Sequence, residues 1–523
     1  MVLFGDPALQ RVWVQVEPLG HNVTCGRSGV EQLANNGARR FHNPGVVRPT
    51  REAHCQSSLG GFDRRILRSN SRMELMMPAD AVFLIGESRE HPMHVGGLQL
   101  YQPPEGAGPD FVREIYDQLI AQQDFQPTFL KRPATLWGGI ANLAWTYDKD
   151  LDIDYHVRRS ALPSPGRVRE LLELTSRWHS SLLDRHRPLW EVHVIEGLQD
   201  GRFAMYTKTH HALIDGVSAL RLMQRSLSYD PGDPQVRAMW SLPKRKRQPN
   251  PTSRVGALLK TARSVAALGP STVSLARAAL LEQQVTLPFG APRTMLNVNI
   301  GGARRCAAQS WSVDRIKSVK RAAGATLNDV VLAMCSGALR YYLLEQSALP
   351  DKPLLAMVPM SLRREDEADA GGNLVGAILC NLATDTDDPA ERLQVVSDSM
   401  RRNKKVFSQL PRPQAMALSV MNMGSIALAA VPGWVSSTSP PFNIVISNVP
   451  GPHEPMYCGG ARLDGNYPLS IALDGQALNI TLVGNADKLD FGLVGCRRSV
   501  PHLQRLLTHL ESSLKDLERA VGV

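Results

Sequence analysis

The segment His210-His211-Ala212-Leu213-Ile214-Asp215-Gly216 holds the residue types best suited to chemistry. A histidine can take a hydroxyl proton near neutral pH, because its ordinary pKa lies there. An alcohol that attacks a thioester carbonyl needs that help. Asp215 can cap the helix that follows or pair with an Arg. Gly216 permits backbone geometry that larger residues resist. Adjacent histidines in an extended stretch point to opposite faces, so one of the pair faces a substrate, and periodicity leaves open which.

Other reaction classes lack their residues. The chain has no Gly-x-Ser-x-Gly elbow, no phosphate-binding Gly-x-x-x-x-Gly-Lys-Ser/Thr and no Gly-x-Gly-x-x-Gly after a strand. His186 and His193 flank Pro188-Leu189-Trp190 without metal-ligand spacing. The seven Cys (25, 55, 306, 335, 380, 458 and 496) form no Cys-x-x-Cys pair. They read as buried reduced thiols in a cytosolic protein, with no disulfide framework and no metal site. Direct acyl transfer without a covalent enzyme intermediate fits best.

The pattern around the histidines predicts a strand over 203–210 that alternates in a β manner, then a helix over about 216–227 with Leu220, Met223 and Leu227 on one face. Further strands are expected at His94–Tyr101, Trp190–Glu196, Leu354–Met360, Phe442–Ser447, Leu478–Val483 and Asp490–Val494, with helices over 168–185 and 326–344. Thr326-Leu327-Asn328-Asp329 resembles a capping box at the start of the last of these. Helices are also expected between Val255 and Gln284, broken at Gly269-Pro270.

Length and charge bound the remainder. A chain of 523 residues exceeds one ordinary core, so two α/β regions are expected, over 73–235 and 291–518. Residues 236–290 read as a basic linker with connecting helices, including Lys244-Arg245-Lys246-Arg247. The net charge of +10 invites a nucleic-acid reading, but residues 1–72 hold ten Arg, no Lys and five acids, half of that total. No zinc-finger spacing or aromatic-basic motif accompanies it, which argues against nucleic acid and leaves an anionic membrane surface as a partner. Residues 1–72 lack periodicity and are expected to be disordered, with Met73 as the start of the folded chain. The run Ala415 to Val431 is free of charge and reads as a buried helix or lipid-facing wall.

From Met73 to about Leu517 the sequence resembles the bacterial wax ester synthase/acyl-CoA:diacylglycerol acyltransferase family. The landmarks, in order, are Met77-Pro78-Ala79-Asp80-Ala81-Val82-Phe83-Leu84, Arg187-Pro188-Leu189-Trp190-Glu191 and the histidine segment. Asn328-Asp329-Val330-Val331-Leu332, Ser447-Asn448-Val449-Pro450-Gly451-Pro452 and Asp474-Gly475-Gln476-Ala477-Leu478-Asn479-Ile480 follow. The resemblance implies two chloramphenicol-acetyltransferase-like domains, as in condensation domains, with a tunnel between them. It makes His211 the general base, His210, Asp215 and Gly216 supporting residues, and Asn328 and Asp329 neighbours of the active site. It further implies acyl-CoA as co-substrate, diacylglycerol as acceptor, no metal or prosthetic group, and a cytoplasmic protein attached peripherally to the inner face of the plasma membrane or to lipid bodies. A fatty alcohol acceptor, giving a wax ester, would use the same residues. A non-catalytic lipid-binding or lipid-body protein would keep the fold alone. Two stretches depart from the family pattern: residues 1–72, and Val483-Gly484-Asn485-Ala486-Asp487.

Overall fold

The computed structural model describes residues 73–134, 144–243, 289–361, 375–409 and 434–523. The first region runs β1 (Glu74–Leu75), α1 (Pro78–Gly86), β2 (His94–Gln102), α2 (Phe111–Ile120), β3 (Lys131–Pro133), β4 (Ala144–Tyr147), α3 (Ile153–His156) and β5 (Val157–Ala161). It continues through α4 (Val168–Ser180), β6 (Trp190–Glu196), β7 (Phe203–His210) and α5 (Gly216–Ser226). The second region holds β8 (Arg304–Ser312), α6 (Val313–Ala323), α7 (Leu327–Glu345), β9 (Leu355–Ser361), β10 (Val375–Asn381), α8 (Pro389–Gln409) and α9 (Trp434–Ser437). After these come β11 (Ile444–Val449), β12 (Tyr457–Cys458), β13 (Ala461–Leu469), β14 (Leu478–Asn485), β15 (Lys488–Cys496) and α10 (Arg505–Val521).

Among the described residues these form two six-stranded mixed sheets, in the orders β12-β13-β2-β7-β6-β5 and β10-β9-β11-β14-β15-β8, and a small sheet β1-β4-β3. The antiparallel register of β2 on β7 sets His94 opposite His210 at the end of both strands. α4 is shorter than its sequence pattern suggests. Lys208, buried on β7, donates to the carbonyls of Trp178 (3.0 Å) and Ser181 (2.6 Å), which closes the last turn. The next residues form a turn in which Asp184 Oδ1 accepts from His186 N (2.9 Å).

The two regions do not keep to themselves. β13 belongs to the second region in sequence but pairs with β2 of the first, from Arg462 opposite Gln102 to Leu469 opposite Gly96. One apolar core takes Leu98, Leu171 and Tyr206 from the first region and Trp311, Leu339 and Phe491 from the second. The start of the expected linker is also part of the first region. Val236, Ala238 and Trp240 are buried there, and Trp240 Nε1 donates to Gln122 O at 2.8 Å. Burying a tryptophan with its N–H satisfied favours this packing over an extended connector.

Where β13 crosses β15, only a glycine fits. A Cβ on Gly492 would stand 1.9 Å from the carbonyl oxygen of Pro468, a backbone atom that cannot rotate away. Gly492→Ala is therefore expected to cost about 1–3 kcal/mol or more of stability, read as a lower urea midpoint with an unchanged slope. Beside the crossing, the fully buried Asp490 accepts from Asn466 N (2.6 Å) and Asn485 Nδ2 (2.9 Å), and burial pushes its carboxyl up to about 6. Asn485 belongs to the segment that departs from the family pattern. That segment forms the β14–β15 turn, with Ala486 at φ +52°.

No single helix among the described residues is long and apolar enough to cross a membrane. The expected helices between 255 and 284, the basic run at 244–247, the apolar run at 415–431 and residues 1–72 lie outside the described residues.

Candidate active site

β7 ends at His210, and the chain folds over at once. Leu213 N and Ile214 N both donate to His210 O, at 2.9 and 3.2 Å. Ala212 N donates to His210 Nδ1 at 3.1 Å. Asp215 then caps α5, its Oδ1 accepting from Ser218 N and its Oδ2 from Ser218 Oγ, both at 2.9 Å. The aspartate's partner is thus Ser218, not an Arg. Gly216 needs none of the freedom expected of it. It is an ordinary first residue of α5, and a Cβ there would meet only Val95 Cγ1 at 3.9 Å.

The two histidines have different surroundings. The His210 side chain is wholly buried, and its Nε2 stands 3.2 Å from Glu87 Oε1, whose side chain is 1% exposed. Arg185 Nε and Nη2 hold Glu87 Oε2 at 3.0 and 2.9 Å, and Arg185 Nη2 also donates to Leu84 O at 2.7 Å. Burial alone would raise the Glu87 carboxyl, but His210 and Arg185 bring it below its ordinary range. His210 is thereby locked inward.

His211 is half-buried, and its backbone N donates to Met93 O at 2.9 Å. Its ring stacks on Phe83 of α1, with centroids 4.1 Å apart and planes 22° apart. Burial pushes its imidazole down to about 4, Asp215 pulling in the other direction and His210 adding to the fall. At physiological pH the ring is neutral, which a proton acceptor requires. Developing negative charge beside it in a reaction would strengthen it as a base.

The other expected residues fall into place as follows. Leu189 and Trp190 are fully buried, and Trp190 stacks on His156 (4.4 Å) and Trp240 (5.1 Å) while donating to Phe129 O at 2.8 Å. The Pro188-Leu189-Trp190 motif packs. His193 stacks on Trp178 at 4.0 Å with its Nε2 3.3 Å from Glu191, whereas His186 is exposed beside Asp184. Asp329 closes a capping box with Thr326, at 3.0 and 3.2 Å. Asn328 instead accepts from Asn448 Nδ2 at 3.3 Å, which joins two of the landmark motifs. Among the described residues, no hydrogen bond or ion pair links Asn328 or Asp329 to the histidine turn. The tie between regions here is apolar: Ile214 shares a buried cluster with Val449 and Val483. The five cysteines among the described residues are free and buried, as expected.

Sequence reasoning did not find Glu87, Arg185 or Met93. None lies in a spaced motif with the histidines, and only the β2–β7 pairing brings the chain before His94 beside the turn after His210. An open cleft of about 580 Å³ lined by Gln102, Pro104, Phe111 and Val112 lies at the far end of β2, roughly 25 Å from His94 at strand rise, and takes no part in this site.

Comparison with known proteins shows the family to which the chain belongs. Residues 76–331 match the wax ester synthase/diacylglycerol acyltransferase catalytic domain, and residues 371–518 match the WS/DGAT C-terminal domain. A Mycobacterium tuberculosis chain named "Probable diacyglycerol O-acyltransferase tgs2" is 71% identical over 454 residues, covering 86% of this chain and 100% of that one. The O-acyltransferase WSD of Acinetobacter baylyi is 40% identical over 460 residues, covering 86% and 98%. The solved wax ester synthase/diacylglycerol acyltransferase from Marinobacter aquaeolei is 41% identical with a TM-score of 0.69, covering 86% and 100%. The first condensation domain of the calcium-dependent antibiotic synthetase, 15% identical with a TM-score of 0.53 over 86% and 96%, shares the fold. The protein belongs to the wax ester synthase/diacylglycerol acyltransferase family.

Proposed function

We propose that this protein moves a long-chain fatty acyl group from acyl-CoA to the free hydroxyl of diacylglycerol, making triacylglycerol, with His211 as general base. The observation that carries the reading is a half-buried, neutral histidine fixed through its own backbone, beside a second histidine locked away by Glu87. His211 takes the hydroxyl proton as the oxygen attacks the thioester carbonyl. The tetrahedral species collapses with loss of the C–S bond, and the protonated His211 returns the proton to the departing thiolate. Atoms balance between the two substrates, and no metal or prosthetic group enters this scheme. Asp215 and Ser218 hold the turn, while His210 serves as its buried anchor. Asn328 shapes the second region's side through Asn448.

Both lipid substrates would reach His211 through a tunnel between the two regions. The protein is cytoplasmic in this reading and sits peripherally on the inner face of the plasma membrane or on lipid bodies. In support, Met73, Leu75, Val82 and Ile85 expose large apolar side chains along the segment that leads to the site.

Radiolabelled palmitoyl-CoA offered to the wild type with diacylglycerol and hexadecanol in parallel tests the reading. Triacylglycerol as the main product is expected. A predominance of wax ester would reassign the acceptor, in line with the name of the solved relative at 41% identity. No product from folded protein would leave the lipid-binding alternative.

A further inference from the structure

The histidine turn is held by a loop, and that loop is itself held from the other region. Residues 87–93, between α1 and β2, supply two of the contacts that fix the turn: Glu87 for His210 and Met93 O for His211. The loop folds tightly, with Ser88 N donating to His91 O (3.2 Å) and His91 N to Ser88 O (3.1 Å). Three contacts from the second region meet it. Arg304 Nη2 donates to Glu90 O at 2.7 Å. Gly302 lies so close that a Cβ there would be 2.4 Å from Arg89 O. Asp474 Oδ1, from the Asp474-Gly475-Gln476 loop, is 2.9 Å from His91 Nε2.

Asp474 does not move freely. Its Oδ1 also accepts from Ile300 N at 2.7 Å, and Gly475 O accepts from Asn297 Nδ2 at 2.9 Å. Asn297 Oδ1 in turn accepts from Asn443 Nδ2 at 2.7 Å. A buried side-chain network of this kind is rigid when its members are satisfied. His91 Nδ1 lies 3.1 Å from Ser88 Oγ. The other ring nitrogen, Nε2, is the one within reach of the Asp474 carboxylate. Burial would raise that carboxyl, and His91, Ile300 N–H and Arg304 bring it below its ordinary range.

We infer that His91 and Asp474 are positioning residues: their contact clamps the 87–93 loop from the second region and so sets where His211 stands. The inference rests on His211 being the base. It gives the Asp474 motif a task in the first region's chemistry, and it makes the placement of the histidine depend on how the two regions are docked. A shift of about 1 Å in a reacting group can cost on the order of a hundredfold in rate.

The test compares His91→Leu, which removes the donor, with His91→Gln, which keeps one, and adds Asp474→Ala and the double variant His91→Leu/Asp474→Ala. Each is assayed with palmitoyl-CoA and dispersed diacylglycerol, and each is melted by circular dichroism. His91→Leu and Asp474→Ala are expected to lower kcat about tenfold with KM little changed, and His91→Gln to stay within about twofold of wild type. The double variant should lose no more than either single one, because both remove the same contact. The acid limb of kcat/KM should also rise in His91→Leu as the displaced ring is rehydrated, a change that simple loss of stability does not produce. Should His91→Leu fail to fold, His91→Gln against Asp474→Ala carries the comparison. Unchanged kcat in folded His91→Leu, or additive losses in the double variant, would overturn the clamp. Full activity in His211→Ala would instead overturn the base assignment on which it rests.

Discussion

His211→Ala is expected to lower acyl transfer from palmitoyl-CoA by about a hundred- to ten-thousandfold in kcat, the range ordinarily supplied by a positioned general base. The loss should fall on kcat more than on KM, because the imidazole acts on the proton in flight and binds neither acyl chain. The fold should survive. His211 holds its place by a backbone N–H to Met93 O, which alanine retains, and among the described residues its ring stacks on Phe83 alone. His210→Ala is a contrasting change, since it empties a fully buried site and takes from the Glu87 carboxylate one of its buried partners. Loss of activity there should come with a lower melting temperature, and in His211→Ala it should not.

Glu87→Ala is the second large effect. The carboxylate is buried between His210 and Arg185 and also accepts from Met93 N at 3.3 Å. Removing one member of a buried ion pair costs about 3–5 kcal/mol, because the partner's charge is left without compensation. About 3 kcal/mol is the better expectation here, since the Arg185 side chain is 33% exposed and water can recover part of its interaction. Activity should fall as well, through a turn that has lost its anchor. Glu87→Gln keeps two hydrogen-bonding atoms of the same shape and should recover most of the stability. A Glu87→Ala protein with wild-type melting and wild-type turnover would mean that the buried network does not hold the turn.

Much of this site could be read from the residues. The alternation of Phe203–His210 and the apolar spacing after Gly216 placed the histidines at a strand-to-helix junction, which the structure shows. The capping box at Thr326–Asp329 was legible because its partners are three residues apart. What escaped depends on long-range pairing. β13 carries Asp464, Gly465 and Pro468, poor strand formers, and is absent from the expected strands, yet it is a strand with an irregular register between Leu463 and Gly465. Its Pro468 is tolerated because β12 spans only two residues, so no ladder hydrogen bond is lost on that edge. Glu87 ends a helix 123 residues before His210 and nothing local marks it. Gly216 shows the opposite failure: a conspicuous glycine in a motif suggested special geometry where the backbone is ordinary.

The measurement that tests the central claim most directly is the pH dependence of kcat/KM for wild type and His211→Ala between about pH 4.5 and 8, on protein shown to be folded at each pH. A base must be unprotonated, so its rate falls as pH drops through its pKa. Burial holds His211 down to about 4, so the account predicts a wild-type profile that is level to about pH 5 and bends only below it. The variant should be slow throughout, with no such bend. A wild-type limb centred near 6.5, the value of an ordinary solvated histidine, or a variant that keeps the wild-type rate and profile, would contradict the assignment of His211 as the base.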